Sequence, residues 1–134
     1  MNPRFDHEKL TVYRHSLKFV TWATELIAQV KDRAAVKDQL DRASTSVPLN
    51  IAEGNGKFGV RDRGGFIEIA RGSALECAAG LDVLVAKELC APSAVAVGKE
   101  QLFEIVSVLV GLLANLTSRV AEPVADYLSS VQEE

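Results

Sequence analysis

Apolar residues recur at steps of three and four along four stretches of the chain, which is the spacing of one face of an α-helix. The stretches are residues 9–30, 36–53, 63–89 and a fourth that begins near residue 99. Strands are not predicted, because no stretch alternates apolar and polar residues over a sustained length. The connections are short, so the pattern predicts an all-α, antiparallel up-down-up-down four-helix bundle, a single domain over residues 1–134.

The first and fourth predicted helices carry more apolar surface than one helix of a bundle can bury. The first has two neighbouring apolar stripes, one through Leu17 and one through Phe19, with Trp22 beside them. Leaving such surface in water costs about 25 cal/mol per Å², and contiguous apolar patches usually mark interfaces. We therefore expect a homo-oligomer with Trp22 and Leu112 at the interface; the alternative is a monomer with a moderately apolar surface.

Proline and glycine predict where the second helix changes direction and ends. Pro48 removes a backbone donor, so the helix should kink or restart there. Gly54 suits a left-handed cap after Glu53. Residues 54–59 match the glycine spacing of dinucleotide-binding loops, but a helix precedes them where that fingerprint needs a strand. The loop is interpreted as a helix end followed by a flexible connection.

The third and fourth helices carry similar signals. Asp62 is a candidate N-cap of the third helix. Gly72 and Gly80 inside that helix cost about 1 kcal/mol each relative to alanine, and a close neighbouring helix would explain them. Pro92 is placed in the connection that follows, and Pro123 should kink or end the fourth helix.

The charge is unevenly distributed. The whole chain has a formal net charge of −3. Residues 1–72 hold twelve Lys and Arg against nine Asp and Glu, or +3, and residues 73–134 hold three against nine, or −6. An acidic total argues against indiscriminate binding along nucleic acid, which depends on neutralising phosphates, yet leaves room for a local basic patch. The candidate contacts are Arg14, Lys18, Lys57, Arg61 and Arg63.

The remaining chemistry is sparse. Cys77 and Cys90 lie in no CxxC motif and are interpreted as small apolar residues of a reduced, cytoplasmic protein. The sequence begins without the apolar region of a signal peptide, and its longest apolar run, residues 105–116, is too short to span a bilayer. We therefore expect no membrane partner.

Catalytic and metal motifs are absent from the sequence. The two histidines, His7 and His15, form neither an HExxH motif nor the Glu-x-x-His pairs of di-metal bundles. Ser73 stands in Arg-Gly-Ser rather than in a GxSxG motif, and is interpreted as a packing residue. We expect a protein that is not an enzyme and that has no metal site and no cofactor.

Two long stretches resemble a known family. Residues 39–54, QLDRASTSVPLNIAEG, are similar to the pattern QLRRAAxSIPxNIAEG, and residues 66–76, FIEIARGSALE, are similar to FLxIARGSLxE. These patterns are typical of the bacterial four helix bundle protein family. Its founding members are encoded in intervening sequences of large-subunit ribosomal RNA genes, and it includes accessory variability proteins of diversity-generating retroelements.

The resemblance implies a homopentamer of four-helix protomers with a non-enzymatic role. It also implies an alternative, because accessory members bind a reverse transcriptase and are thought to contact nucleic acid through a basic surface. The chain departs from the pattern at Asp41, where the pattern has a basic residue, and at Lys57, where it usually has Arg, and its net charge of −3 departs from the strongly basic accessory members. The two hypotheses are an oligomeric scaffold for a protein partner and a nucleic-acid-binding accessory protein acting with a reverse transcriptase or ribosomal RNA.

Polar residues of these motifs share one face of the second helix. Arg42, Ser46, Asn50 and Glu53 follow each other at steps of four, four and three. Arg71 and Glu76 could answer them from the third helix. A buried polar network that fixes helix register or subunit contacts is one interpretation; a binding site and a row of solvated charges are the others.

Overall fold

The computed structural model describes residues 2–31 and 35–121, and in these ranges it is a bundle of four helices without strands. A 3₁₀ turn over Asp6–Lys9 precedes the first helix. The helices are α1 over Thr11–Gln29, α2 over Ala35–Asn55, α3 over Val60–Ala86 and α4 over Pro92–Ala121. The all-α prediction is confirmed, and the predicted break at Pro123 lies outside the described residues.

Each helix packs against its neighbours in the chain, and α1 closes the bundle against α4. The most extensive packing joins α2 to α3. The second of the two α1 stripes, through Phe19, faces the core, while Leu17 is only half-buried. Burying these side chains is the main source of stability in a bundle of this kind. The largest fully buried side chains are Phe19, Leu40, Ile51, Leu81, Leu84, Leu102, Ile105 and Leu109.

The structure separates the predictions made for α2. The helix runs through Pro48 without the predicted restart, the alternative kink stays a prediction, and the proline ring is buried. The predicted left-handed cap at Gly54 is wrong. Gly54 lies inside the helix, and no glycine in the described ranges has a positive φ. A Cβ atom at Gly54 would lie 3.0 Å from the Phe66 Cβ and 3.2 Å from the Arg63 carbonyl oxygen. Glycine is therefore required there because α3 approaches closely.

The beginning of α4 also differs from the sequence prediction. The helix starts at Pro92, seven residues before the predicted start at Lys99. Proline suits the first helical position, since the amide hydrogen it lacks would have no partner there. The extra turns carry Gly98, where a Cβ atom would lie 2.2 Å from the Trp22 ring. Gly98 thus forms the space in α4 that receives Trp22 from α1.

The two glycines inside α3, Gly72 and Gly80, do not have the unusually close contacts that were predicted for them. At Gly72 a Cβ atom would meet nothing within 4 Å, so the predicted close contact is wrong there. At Gly80 it would lie 3.8 Å from the Leu40 Cδ1, which is ordinary contact. Asp62 lies in the first turn of α3, whose N-cap is Gly59 without a side-chain cap bond.

The two cysteines are free thiols, Cys77 buried in α3 and Cys90 half-buried after it. Burial, helped by the charge of Glu76, raises the pKa of the Cys77 thiol to about 12. Burial also raises the pKa of Cys90. Thiols with raised pKa values stay protonated near neutral pH and react poorly, which fits the interpretation of both as small apolar residues.

Candidate functional site

A small polar cluster joins α2 to α3 at the middle of the two helices. The hydroxyl oxygens of Ser46 and Ser73 lie 2.8 Å apart, close enough for one to donate to the other. The Asn50 amide donates to the Ser46 hydroxyl at 2.9 Å and to the Ser46 carbonyl oxygen at 2.9 Å. All three side chains are half-buried, so the cluster fixes the register of the two helices while one side of it remains open to solvent.

The charged residues predicted to complete this network do not join it. Arg71 donates to the Glu68 carboxylate within α3, at 2.8 Å from its Nε, rather than to Glu53 or Glu76. Glu53 lies 3.9 Å from the Lys57 ammonium nitrogen. A partner one helical turn away is reached without bringing charges out of water, which is why these local pairs form.

Arg42 and Glu76 are exposed, and neither has an ion-pair partner among residues 2–31 and 35–121. The buried network therefore consists of Ser46, Asn50 and Ser73, surrounded by solvated charges. Ser73 was interpreted from sequence as a packing residue. Its role depends on the antiparallel register that brings it level with Ser46, which the spacing within one helix does not reveal.

The arrangement predicts which substitutions matter. We expect Ser73→Ala to reduce the free energy of unfolding by about 1 kcal/mol, because it removes a partly buried hydrogen bond and leaves Ser46 with fewer partners. Arg71→Ala should change it by less than about 1 kcal/mol, because an exposed ion pair contributes little. Urea unfolding followed by circular dichroism measures both; a larger loss for Arg71→Ala than for Ser73→Ala would contradict the assignment.

The candidate basic residues form two groups. Arg14 and Lys18 lie on α1, where Lys18 lines a shallow cleft against α4 with His15, Gln101 and Glu104. Glu104 offsets the positive charge in this cleft, and the Gln101 Oε1 is buried there without a hydrogen-bond partner in the part of the chain that the structure describes.

The second group follows α2. Lys57 lies beside Glu53 and 5.2 Å from the centroid of the Phe66 ring. Arg63 donates to the Asn55 side-chain oxygen at 3.3 Å. Arg61 is exposed and has no ion-pair partner within the ranges 2–31 and 35–121. Arg61 is therefore the cation of this group that is most available to a ligand.

Large exposed apolar residues lie on α2, where Leu49 is 63% exposed, and on α3 and α4, where three of them form one group. Phe103 is 70% exposed, Val110 46% and Leu75 45%. The ion pair of Lys99 with Asp82 marks the antiparallel register of the two helices, in which Leu75 is level with the residues between Phe103 and Val110. We call these three residues the apolar α3–α4 face.

The composition of α4 also sets it apart from the other helices. Residues Pro92–Ser118 are long and apolar enough to cross a membrane, so the shorter apolar run recognised in the sequence understated the extent of the segment. One such helix is weak evidence for a membrane span, because core helices of globular proteins meet the same criterion. Here the inner side of the helix, with Leu102, Ile105 and Leu109, is part of the bundle core.

The two residues predicted at an oligomer interface are used largely inside the protomer. Trp22 is half-buried, packs against Phe19 with ring centroids 5.8 Å apart, and occupies the space at Gly98. Leu112 is half-buried and packs against the core. Both residues keep part of their surface exposed, so their place at an interface stays a prediction, and the apolar α3–α4 face is a further candidate.

The described clefts are small. The α1–α4 cleft has a volume of about 170 Å³, and a second one of about 130 Å³ lies at the end of the bundle between Leu10, Ile67 and Leu112. Both are below the 300–1,000 Å³ that is usual for small-molecule sites. Within residues 2–31 and 35–121, no three His, Cys, Asp or Glu side chains are grouped so that they could hold a metal ion.

Comparison with known proteins identifies the motifs. The family model described as 23S rRNA-intervening sequence protein matches residues 8–111. A crystal structure of a protein of unknown function from the S23 ribosomal protein family of Bacteroides thetaiotaomicron VPI-5482 superposes with a TM-score of 0.72 and 22% sequence identity. The match covers 77% of this chain and 98% of that one, and it shows a shared fold. No curated protein matches the chain.

Proposed function

The chain belongs to the 23S rRNA-intervening sequence protein family, and we propose that it is a non-catalytic protein that assembles with copies of itself and serves as a scaffold for a protein partner. The observation that carries this proposal is the apolar α3–α4 face. Three large apolar side chains lie exposed there on neighbouring helices. A second copy of the chain would remove them from water, and the gain scales with the apolar area covered.

The number of copies follows from the family resemblance, which favours five. Covering the exposed apolar surface needs at least a second copy and does not by itself fix the number. A ring of five needs a heterologous contact, in which the surface of one protomer meets a different surface of the next. We propose a cytoplasmic protein without a membrane partner, in keeping with its free thiols.

The absence of catalysis is part of the proposal. The described polar cluster contains two hydroxyls and an amide, and none of the groups bonded in it is a general base. Activation of a serine normally requires an adjacent histidine, lysine or carboxylate. The cluster is better suited to holding α2 and α3 in register.

Self-association makes thermal stability depend on protein concentration. If assembly is coupled to folding, the melting temperature should rise steadily between about 1 and 100 μM, because mass action favours the assembled native state. Differential scanning calorimetry across this range measures the effect. A melting temperature that stays constant over the whole range would argue against the proposal.

A second function is supported by the basic group after α2. Arg61 has no ion-pair partner among the described residues, and Lys57 and Arg63 lie within four residues of it, so an assembly would present the same cations several times. Repeated weak contacts to phosphates add up, and we propose weak, salt-sensitive binding to nucleic acid as the alternative role. Fluorescence anisotropy with labelled RNA and DNA over a salt series tests it. Absence of binding at low salt would leave only the scaffold.

A further inference from the structure

The end of the bundle next to the α2–α3 connection carries two exposed aromatic rings that neither the core nor the apolar α3–α4 face accounts for. Phe58 is fully exposed, and Phe5 is 66% exposed. The Asn55 side-chain amide donates to the Asp6 carboxylate at 2.9 Å, which holds the N-terminal 3₁₀ turn against the end of α2. Both rings therefore belong to one end of the molecule.

Three cations lie close to these rings in the sequence. Arg4 precedes Phe5, Lys57 precedes Phe58, and Arg61 follows one turn later. Three of the acidic groups at this end are already engaged: Asp6 accepts from Asn55, Glu8 accepts from the Arg4 backbone amide, and Glu53 pairs with Lys57. A fourth, Asp62, is exposed beside Arg61 and offsets part of its charge. This end of the bundle therefore presents to a ligand the cation of Arg61 and, three residues before it, the exposed ring of Phe58.

An exposed phenylalanine with cations close to it in the chain matches a particular ligand chemistry. Aromatic side chains stack on unpaired bases irrespective of their identity, while lysine and arginine neutralise the neighbouring phosphates. Duplexes keep their bases stacked and offer only phosphates and groove edges. A membrane surface would also attract these cations, but helices that bind membranes insert a continuous apolar face, whereas Phe58 is flanked by Lys57 and Gly59 and Phe5 by Arg4 and Asp6.

We propose that this end of the bundle binds single-stranded nucleic acid, with Phe58 stacking on an unpaired base and Arg61 contacting a phosphate. The proposal rests on the nucleic-acid alternative above and deepens it, because it names the form of nucleic acid and the residue that selects it. Phe5 lies at the same end, where it stacks on His7 with ring centroids 6.0 Å apart, and its other face is the candidate for a second base.

The test compares Phe58→Leu with Phe58→Trp in the full-length chain. Leucine keeps an apolar side chain but has no ring face, whereas tryptophan stacks more extensively. Affinities for short, unstructured oligo(U), oligo(dT) and a matched duplex are measured by fluorescence anisotropy at low salt. We expect Phe58→Leu to weaken binding to the single strands about ten-fold, with little change for the duplex, and Phe58→Trp to retain it. Stacking should also quench the fluorescence of the new tryptophan.

The outcomes separate this inference from the function on which it rests. Equal affinity of wild type and Phe58→Leu for single strands, or a preference for the duplex, would overturn the stacking role and leave nucleic-acid binding in place. No binding to any oligonucleotide would overturn both. Binding only to anionic phosphatidylserine vesicles, or a change in the mass of the assembly on Phe58→Leu, would assign the ring to a membrane or to a subunit contact and overturn the inference.

Discussion

Replacing Phe103 by lysine should dissociate the assembled protein into single chains without unfolding them. The side chain is the most exposed of the three that form the apolar α3–α4 face, so the protomer loses little when it changes. In an assembly the same position would be covered, and a buried unpaired charge there would cost several kcal/mol. Lysine also suits the helix itself, because Glu100 lies one turn before it.

The matched control is Thr24→Lys on the outer side of α1. Thr24 is exposed, and its hydroxyl bonds only to the Val20 carbonyl oxygen of its own helix. This substitution changes the net charge by the same amount but leaves the apolar α3–α4 face intact. In sedimentation velocity, Phe103→Lys should sediment more slowly than the wild type, and Thr24→Lys should sediment at the same rate as the wild type. Unchanged sedimentation of Phe103→Lys, with a native helical spectrum, would place the interface elsewhere.

Gly98→Ala should destabilise the protomer, with a loss of about 1–3 kcal/mol in the free energy of unfolding. The added methyl group would lie 2.2 Å from one ring atom of Trp22 and 2.3 Å from another, so the indole must leave its place between α1 and α4. Displacing it disturbs the packing against Phe19. The near-ultraviolet circular dichroism of Trp22, the one tryptophan of the chain, should weaken in parallel.

Gly65→Ala is the control for this substitution and should have the opposite sign. Gly65 lies in α3 on the exposed surface, where a Cβ atom meets nothing within 4 Å. Alanine there should stabilise the protein by about 0.5–1 kcal/mol, because it lowers the conformational entropy of the unfolded chain and favours the helix. Equal effects of the two substitutions in urea unfolding would mean that Trp22 does not depend on the space at Gly98.

The number and type of the helices could be predicted because large apolar side chains mark the core at regular intervals. The start of α4 was missed because its first turns, Pro92 to Gly98, consist of small residues and single valines, whose pattern is weak. The faces of α1 were both predicted, but which one is buried depends on the neighbours. Phe19 rather than Leu17 faces the core once α2 and α4 are in place.

The roles of the glycines also depend on contacts that the sequence does not reveal. Gly54 and Gly98 are required by contacts with Phe66 and Trp22, residues that are distant in the chain, and sequence alone cannot distinguish such contacts from a helix cap. The polar cluster was predicted in part: Ser46 and Asn50 were identified from their shared helix face. Ser73 was missed, and Arg71 was assigned the wrong partner, because both depend on the register of α3 against α2.

The mass of the native protein in solution tests the proposed self-association most directly. Gel filtration coupled to multi-angle light scattering at micromolar concentration gives this mass without any assumption about shape. We expect a single species that is a multiple of the 14.5 kDa chain, with five copies favoured by the family resemblance. A uniform mass of 14.5 kDa across the accessible concentration range would contradict assembly through the apolar α3–α4 face.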